Sequence, residues 1–333
     1  MMSVTSTANQ IWSERWRLAV LPREQYVKLG LAAVIAGLAF LLFHIQGNTT
    51  DIRMYGRSAI IWMVDRWIDP QGEFSHGWLI PLASLWFLWR RRKAIGEAPK
   101  SASRLGLTLV VLALLTHWLG AKAQQVRLSL FALIGLMWGV PFYFYGWQVA
   151  RQLIFPLSYL IFCVPLNFLD SLTFPLRILV TITATGILNG LGIAVQRSGS
   201  AIYRAVEGGF ELDVADPCSG LRSLIAMTAL TAVYAQITQT TLTKKWLLFL
   251  AAIPLAIVGN IARITTVGLV AEAFGQDLAV GLYHDYSGYL FYTVSIGLMI
   301  GLGSLMNTSF RGVFTRWKQA LLSPTSLSSP SSS

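Results

Sequence analysis

The chain reads KKWLLFLAAIPLAIVGNIAR over residues 244–263. Two lysines precede a long apolar run, Leu247 to Val258, and the polar residues Asn260 and Arg263 follow it. A bilayer-spanning helix needs roughly 20 predominantly apolar residues, and lysine and arginine beside such helices concentrate on the cytoplasmic side. The stretch therefore predicts a transmembrane helix that begins in the cytoplasm and ends near Arg263 on the opposite side.

The rest of the chain is also predominantly apolar. Of its 333 residues, 54% are hydrophobic and only 12% are charged, whereas soluble domains carry roughly 25% charged residues. Apolar runs flanked by basic or turn residues predict about eight spans. These spans lie near residues 28–45, 77–90, 105–120, 127–146, 150–167, 219–238, 245–263 and 287–306. We therefore predict an all-α polytopic membrane protein.

Basic residues cluster at the ends of several apolar runs, where they act as topology signals. The clusters are Arg15, Arg17, Arg23 and Lys28, then Arg90 to Lys93, then Lys244 and Lys245, then Arg311, Arg316 and Lys318. If each cluster lies in the cytoplasm, both termini are cytoplasmic and the loop 47–77 is external. These anchors account for the formal net charge of +11, so nucleic-acid binding is not expected.

Two segments between the fifth and sixth predicted spans differ from the rest. Residues 171–193 are apolar, but Thr173, Arg177, Thr181, Thr185 and Asn189 recur at every fourth position and form one polar face. This pattern predicts an amphipathic helix on the external membrane surface. Alternating side chains between 195 and 214 predict a short external β-hairpin that leads into Cys218.

The domain organisation follows from these assignments. We expect residues 1–27 to form a cytoplasmic N-terminal segment and residues 28–307 to form one transmembrane domain. The interfacial helix and the hairpin, near 171–217, belong to that domain. Residues 308–333 are expected to form a cytoplasmic tail that is disordered at its Ser/Pro-rich end.

The sharpest local feature is a polar turn around Cys218, followed at once by an apolar helix. Asp216 precedes the cysteine, and Ser219, Gly220 and Arg222 follow it. The positive end of a helix and a nearby cation both favour thiolate over thiol, as an activated nucleophile requires. In contrast, Cys163 lies in an apolar segment, which predicts core packing. We expect both cysteines to be free thiols.

Two further polar clusters are predicted on the same external face. Asn260 lies one turn before Arg263 on one helix, which suggests a polar pocket at membrane depth. His284 and Asp285 immediately precede the last span. A thiolate can attack a peptide carbonyl, an imidazole can move the protons, and a guanidinium can stabilise the oxyanion. The three residue types suffice for acyl transfer.

The other histidines are weaker candidates for catalysis. A lone histidine is more often a surface or packing residue than an acid or base, because only the surrounding geometry makes it one. His44 and His117 are therefore expected to be packing residues. His76 lies in the predicted external loop and remains a spare candidate for the base.

The chain resembles the exosortase/archaeosortase family in three motifs. These are CSGLRS at 218–223, NIAR at 260–263, and His284 ahead of Ser287 and Gly288. The resemblance covers most of the chain. It implies a membrane-embedded cysteine peptidase or transpeptidase that needs no cofactor. By this resemblance Cys218 is the nucleophile, His284 the general acid and base, and Arg263 the third essential residue.

The resemblance also implies the substrates and the location. Exported proteins would carry a C-terminal tripartite signal, comprising a short motif, a hydrophobic helix and a basic tail, and would be transferred to a surface acceptor or to water. The enzyme would reside in a bacterial cytoplasmic (inner) membrane among its lipids, with the active site on the periplasmic face. Apart from the resemblance, Asp285 and Asp216 are the two candidates from the sequence for orienting the imidazole, and the choice between them stays open.

Two other function classes fit the composition. A transporter would also carry intramembrane polar residues such as Asn260 and Arg263, but it leaves the cysteine unexplained and the chain has no internal repeat. The alternative is a noncatalytic membrane component of polysaccharide or lipid export. A metal site is not expected, because Cys218 and His284 lack the paired Cys or His spacing of a zinc site.

Overall fold

The structure is a computed structural model that describes residues 23–69, 72–166, 168–204, 206, 209–213 and 221–308. Its longer helices are α1 (Arg23–Ile45), α2 (Ala59–Ile68), α3 (Leu79–Glu97), α4 (Arg104–Ala123), α5 (Val126–Tyr145), α6 (Trp147–Tyr159), α7 (Phe168–Gly190), α8 (Leu221–Thr238), α9 (Leu242–Phe274) and α10 (His284–Asn307). Short helical turns cover Ile52–Tyr55, Leu160–Cys163, Gln276–Leu278 and Ala279–Tyr283.

Each predicted span corresponds to a helix, but four of the described helices are long and apolar enough to cross a membrane. These four are α4, α5, α9 and the part of α10 from Tyr286 to Asn307. The predicted number of eight spans is therefore not confirmed. Helix α3 contains the four basic residues Arg90 to Lys93, and α6 ends after 13 residues at Tyr159, so neither meets the requirements of length and composition.

A small antiparallel sheet follows α7. It contains β1 (Val195–Ser198), β2 (Ala201–Arg204) and β3 (Glu211–Asp213) in the order β1-β2-β3. The predicted hairpin corresponds to β2 and β3, and β1 adds a third strand that the alternation did not reveal. Gly199 has φ +59°, which a glycine adopts without strain and which permits the two-residue turn between β1 and β2.

The structure confirms a helix at the predicted interfacial segment, but part of its polar face is buried. Thr181 is fully buried and donates a hydrogen bond to the carbonyl of Arg177 at 2.8 Å. The neighbouring residues Val180, Ala184 and Leu188 pack against α9 and the sheet. The fourfold polar repeat therefore does not mark a continuous solvent-facing surface.

Helix α9 is much longer than predicted. It has 33 residues and ends at Phe274, where Gly275 forms the C-cap, rather than near Arg263. The helix continues because Ile264, Val267 and Ala271 are buried against α7 and the sheet. Arg263 therefore lies within α9, and its prediction as a helix-end residue is wrong.

The chain folds as two compact units. The first contains described residues up to Val64 together with Ile95–Gln152, and its core includes Phe43, Ala113 and Ala132. His117 is buried in this unit, with its Nδ1 3.1 Å from Ser129 Oγ and its ring edge-on to Phe43. The packing role predicted for His117 is confirmed.

The second unit contains Asp65–Ala94 and the described residues from Leu153 onward. One core cluster joins α7, the sheet and α9, as described above. A second cluster joins α8, α9 and α10 through Met227, Leu248, Ala252 and Met299. Of the residues predicted to take part in chemistry, His76, Arg222, Asn260 and Arg263 belong to the described part of this unit, as does the backbone of His284 and Asp285.

Replacement of Gly106 by alanine is expected to destabilise the first unit. A Cβ at Gly106 would collide with the backbone nitrogen of Tyr143, so α4 and α5 would have to separate. Overpacking of this kind costs roughly 1–3 kcal/mol. We expect a lower melting temperature for the detergent-purified full chain. Gly37→Ala is the matched control, since a Cβ there meets no atom within 4 Å; equal melting of the two variants contradicts the prediction.

Candidate active site

The cysteine motif itself lies outside the described residues. Asp216, Cys218, Ser219 and Gly220 fall within 214–220, and the described chain resumes at Leu221, the first residue of α8. The prediction that a helix follows the cysteine motif directly is thus confirmed. Arg222 is exposed on the first turn of this helix, and its predicted position one turn after Cys218 follows from the sequence spacing.

Arg263 is linked to the start of α10. Its Nε donates a hydrogen bond to Ser287 Oγ at 3.4 Å, and Ser287 is 1% exposed. A Cβ added at Gly288 would lie 3.4 Å from both Cζ and Nη2 of Arg263, so the guanidinium packs against bare backbone. The first turn of α10, which begins at His284, therefore lies beside Arg263. The side chains of His284 and Asp285 are outside the described part.

A pocket opens between α8, α9 and α10. Its lining residues are Ser223, Met227, Ala256, Gly259, Asn260, Arg263, Gly288, Phe291, Tyr292 and Ser295. Asn260 is 7% exposed, which confirms that a buried polar group accompanies Arg263. The pocket thus gathers the helix that follows the cysteine motif, the Asn260 and Arg263 motif, and the helix that begins at His284.

Some lining residues were not predicted from the sequence. Phe291, Tyr292 and Ser295 lie three, four and seven residues after Gly288, which places them on one face of α10. A Cβ at Gly259 would lie 2.5 Å from Ser295 Oγ, so α9 and α10 pack closely at this point. The i, i+3, i+4, i+7 spacing from Gly288 could have predicted these three lining residues from the sequence. That prediction would have required knowing that Gly288 faces the pocket.

The sheet, which precedes Cys218 in the chain, is linked to the C-terminal end of α9 and the turn that follows it. Arg204 of β2 forms an ion pair with Glu272, and the backbone N–H of Glu211 donates to Gln276 Oε1 at 3.2 Å. Strand β3 ends at Asp213, five residues before Cys218. The extension of α9 beyond Arg263 therefore anchors β2, and the short helical turn that follows α9 anchors β3, the strand that precedes the cysteine motif.

A loop preceding α3 approaches the start of α8. Phe74 and Ile225 are buried together, with Trp67 and Leu166 packed against them. Trp67 Nε1 donates to the carbonyl of Cys163 at 2.8 Å and holds the base of this loop. The loop therefore reaches the first turns of α8, close to the end of the cysteine motif.

His76 lies in this loop beside Phe74. Its ring is stacked on Phe74 with 6.1 Å between centroids. Neither ring nitrogen is exposed to solvent, and neither has a hydrogen-bond partner within the described chain. Burial, and to a smaller extent the positive charge of nearby Arg222, lower the pKa of His76 to about 4. The imidazole is therefore neutral at physiological pH.

The second cysteine has a different environment. Cys163 is a buried free thiol whose Sγ–H donates to the carbonyl of Leu160 at 3.0 Å. The expectation that Cys163 packs in the interior as a free thiol is confirmed. With two cysteines in the chain, Cys163 makes a matched control for any experiment on Cys218.

The family model described as "Transmembrane exosortase" matches residues 67–301. The chain belongs to the transmembrane exosortase family. The matched range extends from the end of α2 into α10 and includes the loop of His76 and all three sequence motifs. Comparison with curated proteins and with solved structures gave no significant match. Membership in the exosortase family and the four apolar helices together identify a membrane protein, and exosortase membership suggests a sorting transpeptidase.

Proposed function

We propose that this exosortase is an intramembrane cysteine peptidase and transpeptidase. It cleaves a C-terminal tripartite sorting signal of exported proteins and transfers the product to a surface acceptor. The observation that carries this proposal is the pocket formed by the first turn of α8, the Asn260 and Arg263 motif of α9, and the first turns of α10. These are the three elements that bear or adjoin Cys218, Arg263 and His284.

The chemistry follows from the residue types. The thiolate of Cys218 attacks the carbonyl carbon of the scissile peptide bond, and the carbonyl oxygen takes the negative charge. Arg263 stabilises this oxyanion, since a guanidinium held in place before the reaction meets the developing negative charge without having to reorganise. His284 gives a proton to the leaving amine, the C–N bond breaks, and a thioester to Cys218 remains.

The second half of the reaction releases the sorted protein. An acceptor amine, or water, attacks the thioester carbonyl and gives its proton to His284. The C–S bond breaks and the thiolate is restored. Asp216 or Asp285 orients the imidazole, and Arg222 together with the helix start keeps the Cys218 thiol acidic. Ser219 and Gly220 shape the turn, and Asn260 binds the substrate backbone beside Arg263.

Location and topology belong to the same proposal. The protein lies in the inner membrane, with residues 1–27 and 308–333 in the cytoplasm and the pocket toward the periplasm. The transmembrane domain comprises residues 28–307. This orientation is supported by the basic clusters, which concentrate on the cytoplasmic side of membrane helices, and it brings the site to the face where exported proteins arrive.

Reporter processing tests this function. An exported reporter with a candidate tripartite signal from the same genome is co-expressed with the full chain, and its size is followed by immunoblot. We expect a shorter product only when both the chain and the intact signal are present. Matched reporters lack the motif, the hydrophobic segment or the basic tail. Uncleaved reporter in the presence of correctly inserted protein, across all candidate signals of that genome, contradicts the proposal.

A further inference from the structure

We propose that the pocket between α8, α9 and α10 selects one residue of the sorted protein by the size of its side chain. That residue is the one whose carbonyl is attacked, and the pocket accepts a short, uncharged side chain such as that of alanine or serine. Met227 and Ala256 set this limit. The inference rests on the proposed function, and it names a property of the substrate beside the scissile bond.

The pocket has a polar mouth and a largely apolar floor. Ser223, Arg263 and Gly288 line the mouth, near the starts of α8 and α10. Met227 lies one helical turn after Ser223 on α8. Ala256 lies two turns before Arg263 on α9. Because α8 and α9 are joined by a short connection, 239–241, and run in opposite directions, both steps lead away from the mouth and into the helix packing.

The cavity is small. Its volume is about 30 Å³, and a single water-sized group occupies roughly 10–15 Å³ of such space. The space beyond the substrate backbone therefore holds about two non-hydrogen atoms. A side chain of the size of alanine or serine fits this space, whereas the side chains of leucine, phenylalanine and arginine are too large for it.

Packing around the floor prevents the cavity from widening. Met227 is 1% exposed and belongs to the core cluster that also contains Met299. Ala256 is buried, and the Ser295 hydroxyl of α10 donates to the carbonyl of Phe291 at 2.9 Å. Protein interiors are close-packed, and added volume forces side chains out of their preferred rotamers. A larger substrate side chain would therefore have to displace well-packed residues.

The close approach of α9 and α10 limits the width of the pocket in the same way. A Cβ at Gly259 would lie 2.5 Å from Ser295 Oγ, so the two helices leave no room for a further carbon atom at this level. The neighbouring residue Asn260 is 7% exposed, and its side chain also lines the pocket. A wide substrate side chain would have to separate the two helices.

The charge of the lining disfavours ionised side chains. Among the described lining residues, Arg263 is the one that carries a charge, and the floor residues Met227, Ala256 and Ser295 are neutral. A basic side chain would be repelled by Arg263 at the mouth. An acidic side chain would pair with Arg263 and draw the guanidinium away from the oxyanion. Burial of either charge at the floor would cost free energy, because no opposite charge lies there.

Arg263 also decides which substrate residue enters the pocket. In the proposed function its guanidinium binds the oxyanion, so the attacked carbonyl lies at the pocket mouth. The side chain of the same residue is attached to the carbon atom next to that carbonyl. It is therefore the substrate side chain that lies closest to the pocket.

Reporter cleavage measures this selection. The new C-terminal residue of the cleaved reporter is identified by mass spectrometry and is then replaced in turn by glycine, alanine, serine, leucine, phenylalanine and aspartate. We expect the alanine and serine reporters to be cleaved at similar rates in isolated membranes that contain the full chain. The leucine, phenylalanine and aspartate reporters should be cleaved roughly 10²-fold more slowly, since one methylene in a fitted pocket already changes the rate by roughly 10- to 200-fold.

Enlarging the floor should relax the selection. Met227→Ala is expected to raise the ratio of leucine to alanine reporter rates by at least about tenfold, because it removes three side-chain atoms from the floor. Met299→Ala is the matched control, since it shortens the same residue type in the same core cluster, and Met299 is not among the described lining residues. This control should leave the ratio unchanged. Each ratio is measured in one membrane preparation, so the amount of folded protein cancels.

Narrowing the floor should have the opposite effect. Ala256→Val is expected to lower the ratio of alanine to glycine reporter rates by about tenfold. Ala252→Val is its control, because Ala252 is buried one turn earlier on α9 and is not among the described lining residues. This pair decides the question where Met227→Ala does not retain the wild-type melting temperature.

The outcomes distinguish this inference from the proposed function. Equal cleavage of the leucine and alanine reporters would overturn the size limit, as would a natural residue at this position with a large or charged side chain. Equal ratios in each variant and its control would overturn the roles of Met227 and Ala256. In all these cases the reporter is cleaved, and the proposed function stands without the size limit. If correctly inserted protein cleaves no reporter, both fail together.

Discussion

Replacement of Cys218 by alanine is expected to abolish reporter processing, with a loss of at least ~10³-fold in rate. The nucleophile forms the covalent thioester, and neither Arg263 nor His284 can substitute for it, so removal of the thiol stops the first step. Cys218→Ser should be nearly as inactive, because a hydroxyl ionises far less readily than a thiol in the same setting.

The control for this experiment is Cys163→Ala. Cys163 is buried and hydrogen-bonded to a backbone carbonyl, and it has no role in the proposed chemistry. This variant should process the reporter at close to the wild-type rate. Processing by Cys218→Ala at the wild-type rate, with equal amounts of protein in the membrane, would instead favour a transporter or a noncatalytic component of polysaccharide or lipid export.

Replacement of Arg263 by alanine is expected to slow processing by roughly 10²- to 10³-fold, the usual effect of removing one donor from an oxyanion site. Arg263→Lys keeps the charge but loses the planar donor fork, so its rate should be intermediate. Ser287→Ala removes the 3.4 Å hydrogen bond from Arg263 Nε and should have a smaller effect, since the guanidinium keeps its contact with the backbone at Gly288.

The rates of these variants are measured by the time course of reporter cleavage in isolated membranes. Arg151→Ala is the control, because Arg151 is exposed on α6 and belongs to the other compact unit. Arg263→Ala with unchanged cleavage would remove Arg263 from the mechanism. A lower melting temperature identifies a variant that has lost cleavage because it does not fold. The Arg263→Lys variant should keep the wild-type melting temperature.

The sequence predicted some features of the candidate site correctly and others wrongly. Asn260 and Arg263 were predicted as one polar group because they lie one helical turn apart, and the structure places both in one pocket. The position of Arg263 at a helix end was predicted wrongly. The helix continues to Phe274 because its next turns are buried by α7 and the sheet, and a local hydropathy pattern carries no information about such partners.

The surroundings of His76 were also not predictable from the local sequence. Its sequence setting made it one external histidine among several polar residues of a loop. Its position becomes informative only when Phe74, two residues before it, is seen packed against Ile225 of α8. The residues concerned are far apart in the sequence, so no local pattern links them.

Hydropathy and short motifs were sufficient to identify a helical membrane protein of the exosortase family and the residue types available for acyl transfer. Both are local properties, since hydropathy and short motifs depend on neighbouring residues alone. The tertiary structure decided which of those residues meet: Arg263 with Ser287, Asn260 with the pocket of α8 and α10, and the His76 loop with the start of α8. These contacts depend on the packing of distant helices, because burial of their apolar faces fixes which turns come together.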